Sequence, residues 1–210
     1  MQTLKFLYIE LAFFAVIALL MGHVSDVALA ANQIAMQWMW MTVMLAYGFT
    51  EAITILVAKA NGSRQYHSII QISHSGMLLA SIAMAIIACI YWIIPHFIIS
   101  IDISLDDTNV ELVNMAKMML MICGIYQILD SVRIVVSGVL RGIADTKYAL
   151  WSTLIAFWLF GLPISYICAF ILGWNGIGIW VGLLISAISG IFMQYYRLKF
   201  FYIKVVNSLP

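Results

Sequence analysis

The residues of this sequence best suited to chemistry are charged side chains that interrupt long apolar runs. Glu10 interrupts the first run, and Asp130 and Arg133 interrupt the fourth. Glu51 stands in the second run, closer to its end. A charged side chain at the centre of a bilayer costs about 2.5–3.5 kcal/mol on insertion scales, so each of these residues is a candidate for a functional site.

The depth of each acid can be estimated from the helical rise of about 1.5 Å per residue. Glu10 is about 18 Å from Gly22 at the outer end of its run, and Asp130 is about 16 Å from Arg141 at the inner end of its own. Both acids are therefore expected near the midplane. Tyr126 precedes Asp130 by one helical turn, which puts the phenol and the carboxylate on one helix face.

Two carboxylates that meet in a low dielectric cannot both stay charged and unpaired, so either one keeps a proton or a bound cation supplies the missing charge. Carboxylate and hydroxyl oxygens suit H⁺ and Na⁺ alike, and Glu10, Tyr126 and Asp130 are the predicted cation-binding group. They are also the predicted metal ligands if the ion is Na⁺. The alternative is a structural ion pair between Asp130 and Arg133, and both readings remain open. Glu51 and Arg133 are possible accessory residues, and Glu51 either pairs with a basic group or lines a vestibule.

The composition indicates an integral membrane protein. Of 210 residues, 65% are hydrophobic and 9% charged, with a mean hydropathy of +1.06, whereas soluble domains carry about 25% charged residues. A net charge of +1 does not favour a nucleic-acid partner. The sequence contains no HExxH, GxSxG or GxxxxGK[ST] motif and no CxxC pair, so we expect neither an enzyme nor a bound cofactor.

Six apolar runs are long enough to cross a bilayer, which requires about 20 residues per helix. They cover approximately 6–22, 33–58, 69–94, 112–138, 148–172 and 176–196. The predicted fold is an all-α, six-helix membrane bundle that forms a single lobe over 1–204, followed by a cytoplasmic tail over 205–210.

The basic residues predict the orientation of this bundle. If the spans alternate, eight of the ten fall on one side, and these are Lys5, Lys59, Arg64, Arg141, Lys147, Arg197, Lys199 and Lys204. The opposite loops carry acids instead, namely Asp26, Asp102, Asp106 and Asp107. By the positive-inside rule, both termini are expected in the cytoplasm.

Small residues and one proline predict features of the last two spans. Pro163 interrupts the fifth span, where the missing backbone hydrogen bond predicts a kink. Gly178, Gly182, Ser186 and Gly190 recur at every fourth position of the sixth span. Small residues at this spacing allow another helix to approach closely, so tight packing is expected there.

Several motifs in a fixed order give the chain a resemblance to a known family. They are "ELAFFAVIALL", "ALAANQIA", "GIYQILDSV", "GVLRGIADTKYALWSTLIAFWLFGLP" and "GIGIWVGLLIS". Together they resemble the C-terminal half of a multidrug and toxic compound extrusion (MATE) transporter of the bacterial NorM-like kind. The resemblance covers nearly the whole chain.

The resemblance implies one lobe of a twelve-helix, pseudo-twofold transporter that exports organic, often cationic, compounds in exchange for Na⁺ or H⁺. It also implies a cation site made of an acid in the lobe's first span and a Tyr and an Asp in its fourth, which correspond to Glu10, Tyr126 and Asp130. The chain departs from the family pattern in having only six spans, in Leu56 where members often carry Arg, and in Glu51.

Two classes of function remain open on the sequence. The first is half of a cation-coupled efflux antiporter in a bacterial inner membrane, working by alternating access with an N-terminal six-span lobe or as a homodimer. The alternative is a non-transporting structural or assembly subunit, or an inactive fragment. The identity of the exported compounds and the choice between Na⁺ and H⁺ have no signature in the sequence.

Overall fold

Helices make up almost the whole structure. The computed structural model describes residues 2–103 and 109–206, with side chains described over 8–103 and 109–203. Within these ranges there is no β-strand, and the predicted all-α class is confirmed. The helices are α1 (Gln2–Val24), α2 (Asp26–Gly62), α3 (Tyr66–Ile93), α4 (Pro95–Asp102), α5 (Val110–Gly142), α6 (Thr146–Leu154), α7 (Leu162–Tyr166) and α8 (Asn175–Val206).

The apolar helices of the described part have the lengths that a membrane bundle requires. Five segments are long and apolar enough to cross a bilayer, and these are α2, α3, α5, the continuous segment Thr146–Ile171 and α8. A shorter apolar helix over Tyr8–Val24 precedes them within α1. The lobe boundary at 204 and the tail over 205–210 stay predictions, because residues 207–210 lie outside the described part.

Two spans are longer than the sequence predicts. Helix α2 begins at Asp26 rather than near 33, because the Ser25 hydroxyl caps its first turn by accepting a hydrogen bond from the Ala28 N–H at 3.0 Å. Its 37 residues measure about 55 Å, well beyond the ~30 Å hydrocarbon core. Helix α8 likewise continues past 196 to Val206.

The loop after α3 contains a short helix that the sequence reading missed. Pro95 ends α3 and starts α4, where its fixed φ and missing N–H are tolerated. Asp102 at the end of α4 accepts hydrogen bonds from Gln37 Nε2 at 2.9 Å and from Trp38 Nε1 at 2.7 Å. These bonds attach α4 to α2. Asp106 and Asp107, which support the predicted orientation, lie outside the described residues.

Helix α5 is the central helix of the bundle. It packs against α2, α3 and α8. In its most apolar stretch of 18 residues, 67% are buried, compared with 28% in the corresponding stretches of α2 and α3. Asp130 and Arg133 of α5 are placed among protein side chains, while much of α2 and α3 presents apolar surface outward.

The fifth span carries two π-helical segments around Pro163, the residue at which the sequence predicts a kink. The segments are Ile155–Gly161 and Ile167–Ile171, and the Leu162 N–H bonds the carbonyl of Phe157, five residues back. Proline donates no N–H and its ring crowds the carbonyl one turn earlier. The wider π turns accommodate both effects within one continuous span.

The four small residues of α8 allow the close packing that the sequence predicts. A Cβ atom on Gly182 would overlap Ser165, and one on Gly178 would overlap the backbone of Cys168. The Ser165 hydroxyl donates to the Ile179 carbonyl across this contact at 3.1 Å. A Cβ atom on Gly190 would meet Arg133 instead, so the same stripe reaches the charged residues of α5.

Candidate functional site

Two buried acids meet at one buried guanidinium. Arg133 donates from Nη2 to Glu10 Oε1 at 2.8 Å and from Nε to Asp130 Oδ1 at 2.6 Å. These three residues are 5% exposed or less. Glu10 comes from α1, whereas Asp130 and Arg133 lie one turn apart on α5, so the contact joins the first span to the central helix. We call these three residues the Glu10–Arg133–Asp130 cluster.

A fourth residue, Tyr47 of α2, completes the hydrogen bonding of Glu10. Its hydroxyl donates to Glu10 Oε2 at 2.7 Å. Both oxygens of this buried carboxylate therefore accept a side-chain hydrogen bond, one from a cation and one from a phenol. Because charge-assisted bonds of this kind are the strong ones, Tyr47 fixes the orientation of the carboxylate toward Arg133.

The guanidinium of Arg133 is packed from the other sides by the fifth span and α8. Its central carbon lies 4.8 Å from the centroid of the Phe157 ring, within the range of a cation–π contact. A Cβ atom on Gly190 would lie 2.8 Å from Arg133 Cδ, so the absence of a side chain at Gly190 makes room for the arginine stem. The position of this charge is thus set by α1, α5, α8 and the first π-helical segment.

Tyr126 lies beside the cluster but outside its hydrogen bonds. The side chain is buried, and its hydroxyl has no hydrogen-bond partner among the described residues. Tyr126 and Asp130 both line a small cavity with Glu10, Tyr47 and Arg133. Its volume of about 10 Å³ is close to the minimum that holds one water-sized species. An unpartnered hydroxyl at such a cavity marks a place for one further polar group.

The charges of the cluster do not balance. If both carboxyls are ionised, two negative charges face one guanidinium, and the group carries a formal charge of −1 in a buried setting. A group of that kind retains a proton or attracts one small cation. The oxygen atoms of Glu10, Tyr126 and Asp130 are chemically suited to Na⁺, but Arg133 already occupies the position between the two carboxylates.

A larger opening elsewhere lacks this chemistry. An open groove of about 360 Å³ between α2 and α3 is lined by Phe49, Ala52, Ile53, Leu56, Gln71, Ile72, Ser75, Gly76 and Leu79. None of these lining residues is charged, and only Gln71 and Ser75 are polar. The charged cluster is therefore the better candidate for a functional site, in spite of the smaller space beside it.

Two further ion pairs lie apart from the cluster and are more exposed than it. Glu51 pairs with Arg141 at 3.2 Å, and its side chain is 59% exposed. Of the two possibilities left open for Glu51, the structure shows pairing with a basic group. Asp145 accepts from Arg197 Nε at 2.7 Å, which ties the loop before α6 to α8.

The structure brings together most of the residues singled out in the sequence. Glu10, Tyr126 and Asp130 border one cavity, and the predicted Asp130–Arg133 pair is also present. Arg133 lies between both acids rather than pairing with Asp130 alone. Cation binding by Glu10, Tyr126 and Asp130 stays a prediction.

Tyr47 is the site residue that sequence reasoning missed. It stands about 18 Å from Lys59 along α2, so it has the same midplane depth as Glu10 and Asp130. A buried tyrosine hydroxyl usually finds a hydrogen-bond partner, and this was the available signal.

Comparison with known proteins places the chain in a family. The family model described as MatE matches residues 7–167, more than half of the sequence. The chain belongs to the MatE family. The predicted resemblance to NorM-like MATE transporters is confirmed, and the matched range includes all residues of the Glu10–Arg133–Asp130 cluster.

Two curated relatives and one solved structure agree with the MatE assignment. The probable multidrug resistance protein NorM of Mesorhizobium japonicum is 32% identical over 175 residues, covering 83% of this chain and 38% of that protein. The protein of the same name from Bacillus thuringiensis subsp. konkukian is 33% identical over 184 residues, covering 88% of this chain and 40% of that protein. The present chain thus spans about two fifths of the length of these relatives.

The solved structure is the outward-facing conformation of a multidrug resistance MATE family transporter of the MOP superfamily. It superposes on the present chain with a TM-score of 0.84 at 12% identity. The superposition covers 99% of the present chain and 45% of the solved one. The match supports the fold, and the coverage corresponds to one lobe of a two-lobe transporter.

Proposed function

We propose that this chain is one half of a cation-coupled multidrug efflux antiporter, which exports organic and often cationic compounds by alternating access. The observation that carries the proposal is the buried Glu10–Arg133–Asp130 cluster, which joins two spans near the middle of the bundle and lacks one positive charge. Because an intramembrane ionisable group is costly, it is expected to serve a function. The coupling cation, Na⁺ or H⁺, would supply the missing charge.

The cluster offers a physical route from cation arrival to helix movement. A positive charge that reaches Glu10 or Asp130 competes with Arg133 for the same carboxylate oxygens. Once Glu10 releases Arg133, the bond between α1 and α5 is lost, and α1 is free to change its packing. A two-state packing of this kind, biased by ion binding, is what alternating access requires.

The membrane, the orientation and the partner that we propose follow from the relatives of the chain, its charge pattern and the part of their length that it covers. The membrane is the bacterial inner membrane, since the relatives that the chain matches are bacterial NorM proteins. Both termini are in the cytoplasm, because eight of the ten basic residues fall on one side if the spans alternate. The partner is an N-terminal six-span lobe or a second copy of the chain, since the chain spans about two fifths of the length of its NorM relatives. Nucleic acid has no part in this function.

The test removes the charge of Asp130. The chain is reconstituted in proteoliposomes with the first six spans of a NorM relative, and separately alone, and efflux of ethidium is followed under an imposed Na⁺ or H⁺ gradient. Asp130→Asn should lower coupled efflux at least tenfold, whereas the matched change Asp145→Asn, in a partly exposed pair apart from the cluster, should leave it near the original rate. Full coupled efflux by Asp130→Asn would overturn the proposal.

The second candidate is a non-transporting structural or assembly subunit, and the 2.6 Å contact of Arg133 with Asp130 favours it. In that case the two charges only stabilise the bundle. The double variant Asp130→Asn/Arg133→Gln should then keep its membrane folding and any activity of the assembly. Loss of coupled efflux in a well-folded double variant argues for the antiporter half instead.

A further inference from the structure

The place that a shared cation would take between the two acids holds an arginine. Arg133 Nη2 lies 2.8 Å from Glu10 Oε1, and Arg133 Nε lies 2.6 Å from Asp130 Oδ1. One guanidinium therefore spans the gap between a carboxylate of α1 and a carboxylate of α5. Its planar, delocalised charge is permanently present and matches carboxylate geometry.

Most carboxylate oxygens of Glu10 and Asp130 already accept hydrogen bonds. Three of the four accept side-chain hydrogen bonds, with Glu10 Oε1 and Asp130 Oδ1 bonded to Arg133 and Glu10 Oε2 bonded to Tyr47. A hard metal cation binds through several oxygens at once. Na⁺ would have to displace these donors and would also meet the positive charge of Arg133 at close range.

Arg133 has little room to withdraw. The guanidinium lies against the Phe157 ring at 4.8 Å, and the stem fills the space that the missing side chain of Gly190 leaves. The residue is 1% exposed. These contacts hold the guanidinium in one position, between the two carboxylates.

We infer that Arg133 is a tethered cation that excludes Na⁺ from the site formed by Glu10 and Asp130. It is a specificity-determining residue, and removing its charge converts the site into one that binds Na⁺. The inference rests on the proposed function in one respect, namely that the site couples transport to a cation. If Na⁺ is excluded, H⁺ is the coupling ion that is left. The exclusion of Na⁺ is itself a binding property that needs no transport assay.

The experiment measures binding of ²²Na⁺ to the purified full chain in detergent, with choline as the replacement cation at constant ionic strength. The unaltered chain should show no saturable ²²Na⁺ binding. Arg133→Gln should gain saturable binding at least tenfold tighter than any binding by the unaltered chain, and Na⁺ should raise its thermal unfolding midpoint. Arg197→Gln, which removes an arginine from the partly exposed pair with Asp145, is the matched control and should gain nothing.

Two outcomes overturn the inference. The first is saturable ²²Na⁺ binding by the unaltered chain that disappears in Asp130→Asn. The second is a folded, monodisperse Arg133→Gln that binds no more ²²Na⁺ than the Arg197→Gln control. If Arg133→Gln does not fold, the unaltered chain decides the matter, because binding contradicts the inference and exclusion supports it. Coupled efflux by Asp130→Asn would overturn the proposed function and leave this result unchanged.

Discussion

At the scale of single residues, the buried charges depend on one another. Removing one partner from a buried ion pair costs about 3–5 kcal/mol, because the other charge is left without compensation. Arg133 compensates two acids at once, so its loss is expected to be more damaging than the loss of Glu10 or Asp130. The same dependence makes the cluster responsive, since any added positive charge near the acids weakens the hold on Arg133.

The contribution of Tyr47 is testable against a matched tyrosine. Tyr47→Phe removes the donor to Glu10 Oε2 and leaves that buried oxygen unpaired, so we expect a loss of about 1–3 kcal/mol in the free energy of unfolding. Tyr126→Phe removes a hydroxyl that has no hydrogen-bond partner among the described residues, and its effect should be close to zero. Thermal unfolding of both variants in detergent measures this difference, and equal destabilisation by the two would contradict the assigned geometry.

Some of these residue contacts follow from the sequence and others do not. The depth of Glu10 and Asp130 is fixed by helical rise, and the Asp130–Arg133 spacing is local to one helix. The Tyr47–Glu10 bond depends on how α1 and α2 are rotated about their own axes, which local spacing does not specify. The position of Arg133 between both acids depends on the same packing.

At the scale of the elements, the interface between the fifth span and α8 carries most of the unusual geometry. Two π-helical segments flank Pro163, and glycines of α8 face them. The stripe of small residues predicts close packing from spacing alone. The π turns are not predictable in the same way, because they arise when the strain around Pro163 is relieved against a particular neighbouring helix.

The close approach at this interface predicts a large effect from one added methyl group. Gly182→Ala would bring a Cβ atom onto Ser165, including its backbone, so we expect a loss of about 1–3 kcal/mol from overpacking. Gly48→Ala is the control, because a Cβ atom there has nothing within 4 Å and alanine favours a helix by up to about 1 kcal/mol. The unfolding midpoints of the two variants should move in opposite directions, and a neutral Gly182→Ala would be inconsistent with the packing described.

At the scale of the whole molecule, the bundle corresponds to one lobe. The superposition on the outward-facing transporter covers 99% of this chain but 45% of the transporter. Large apolar side chains are exposed along α3, including Leu78, Ile82 and Ile93. Hydropathy predicts the helical type of these spans well, because each must satisfy its backbone within the bilayer. Of the six predicted spans, five are long and apolar enough to cross a membrane in the described part of the chain, and the first contains a shorter apolar helix. The helix α4 and its attachment through Asp102 are not predictable from hydropathy, since they depend on a contact distant in sequence.

The measurement that tests the central claim most directly is a double-mutant cycle between Glu10 and Arg133. The free energy of unfolding is compared for the unaltered chain, Glu10→Gln, Arg133→Gln and the double variant. The buried contact predicts a coupling energy of about 2–3 kcal/mol. The same cycle on Glu51 and Arg141, a partly exposed pair, should give less than about 1 kcal/mol. A Glu10–Arg133 coupling no larger than that of the partly exposed pair would contradict the account.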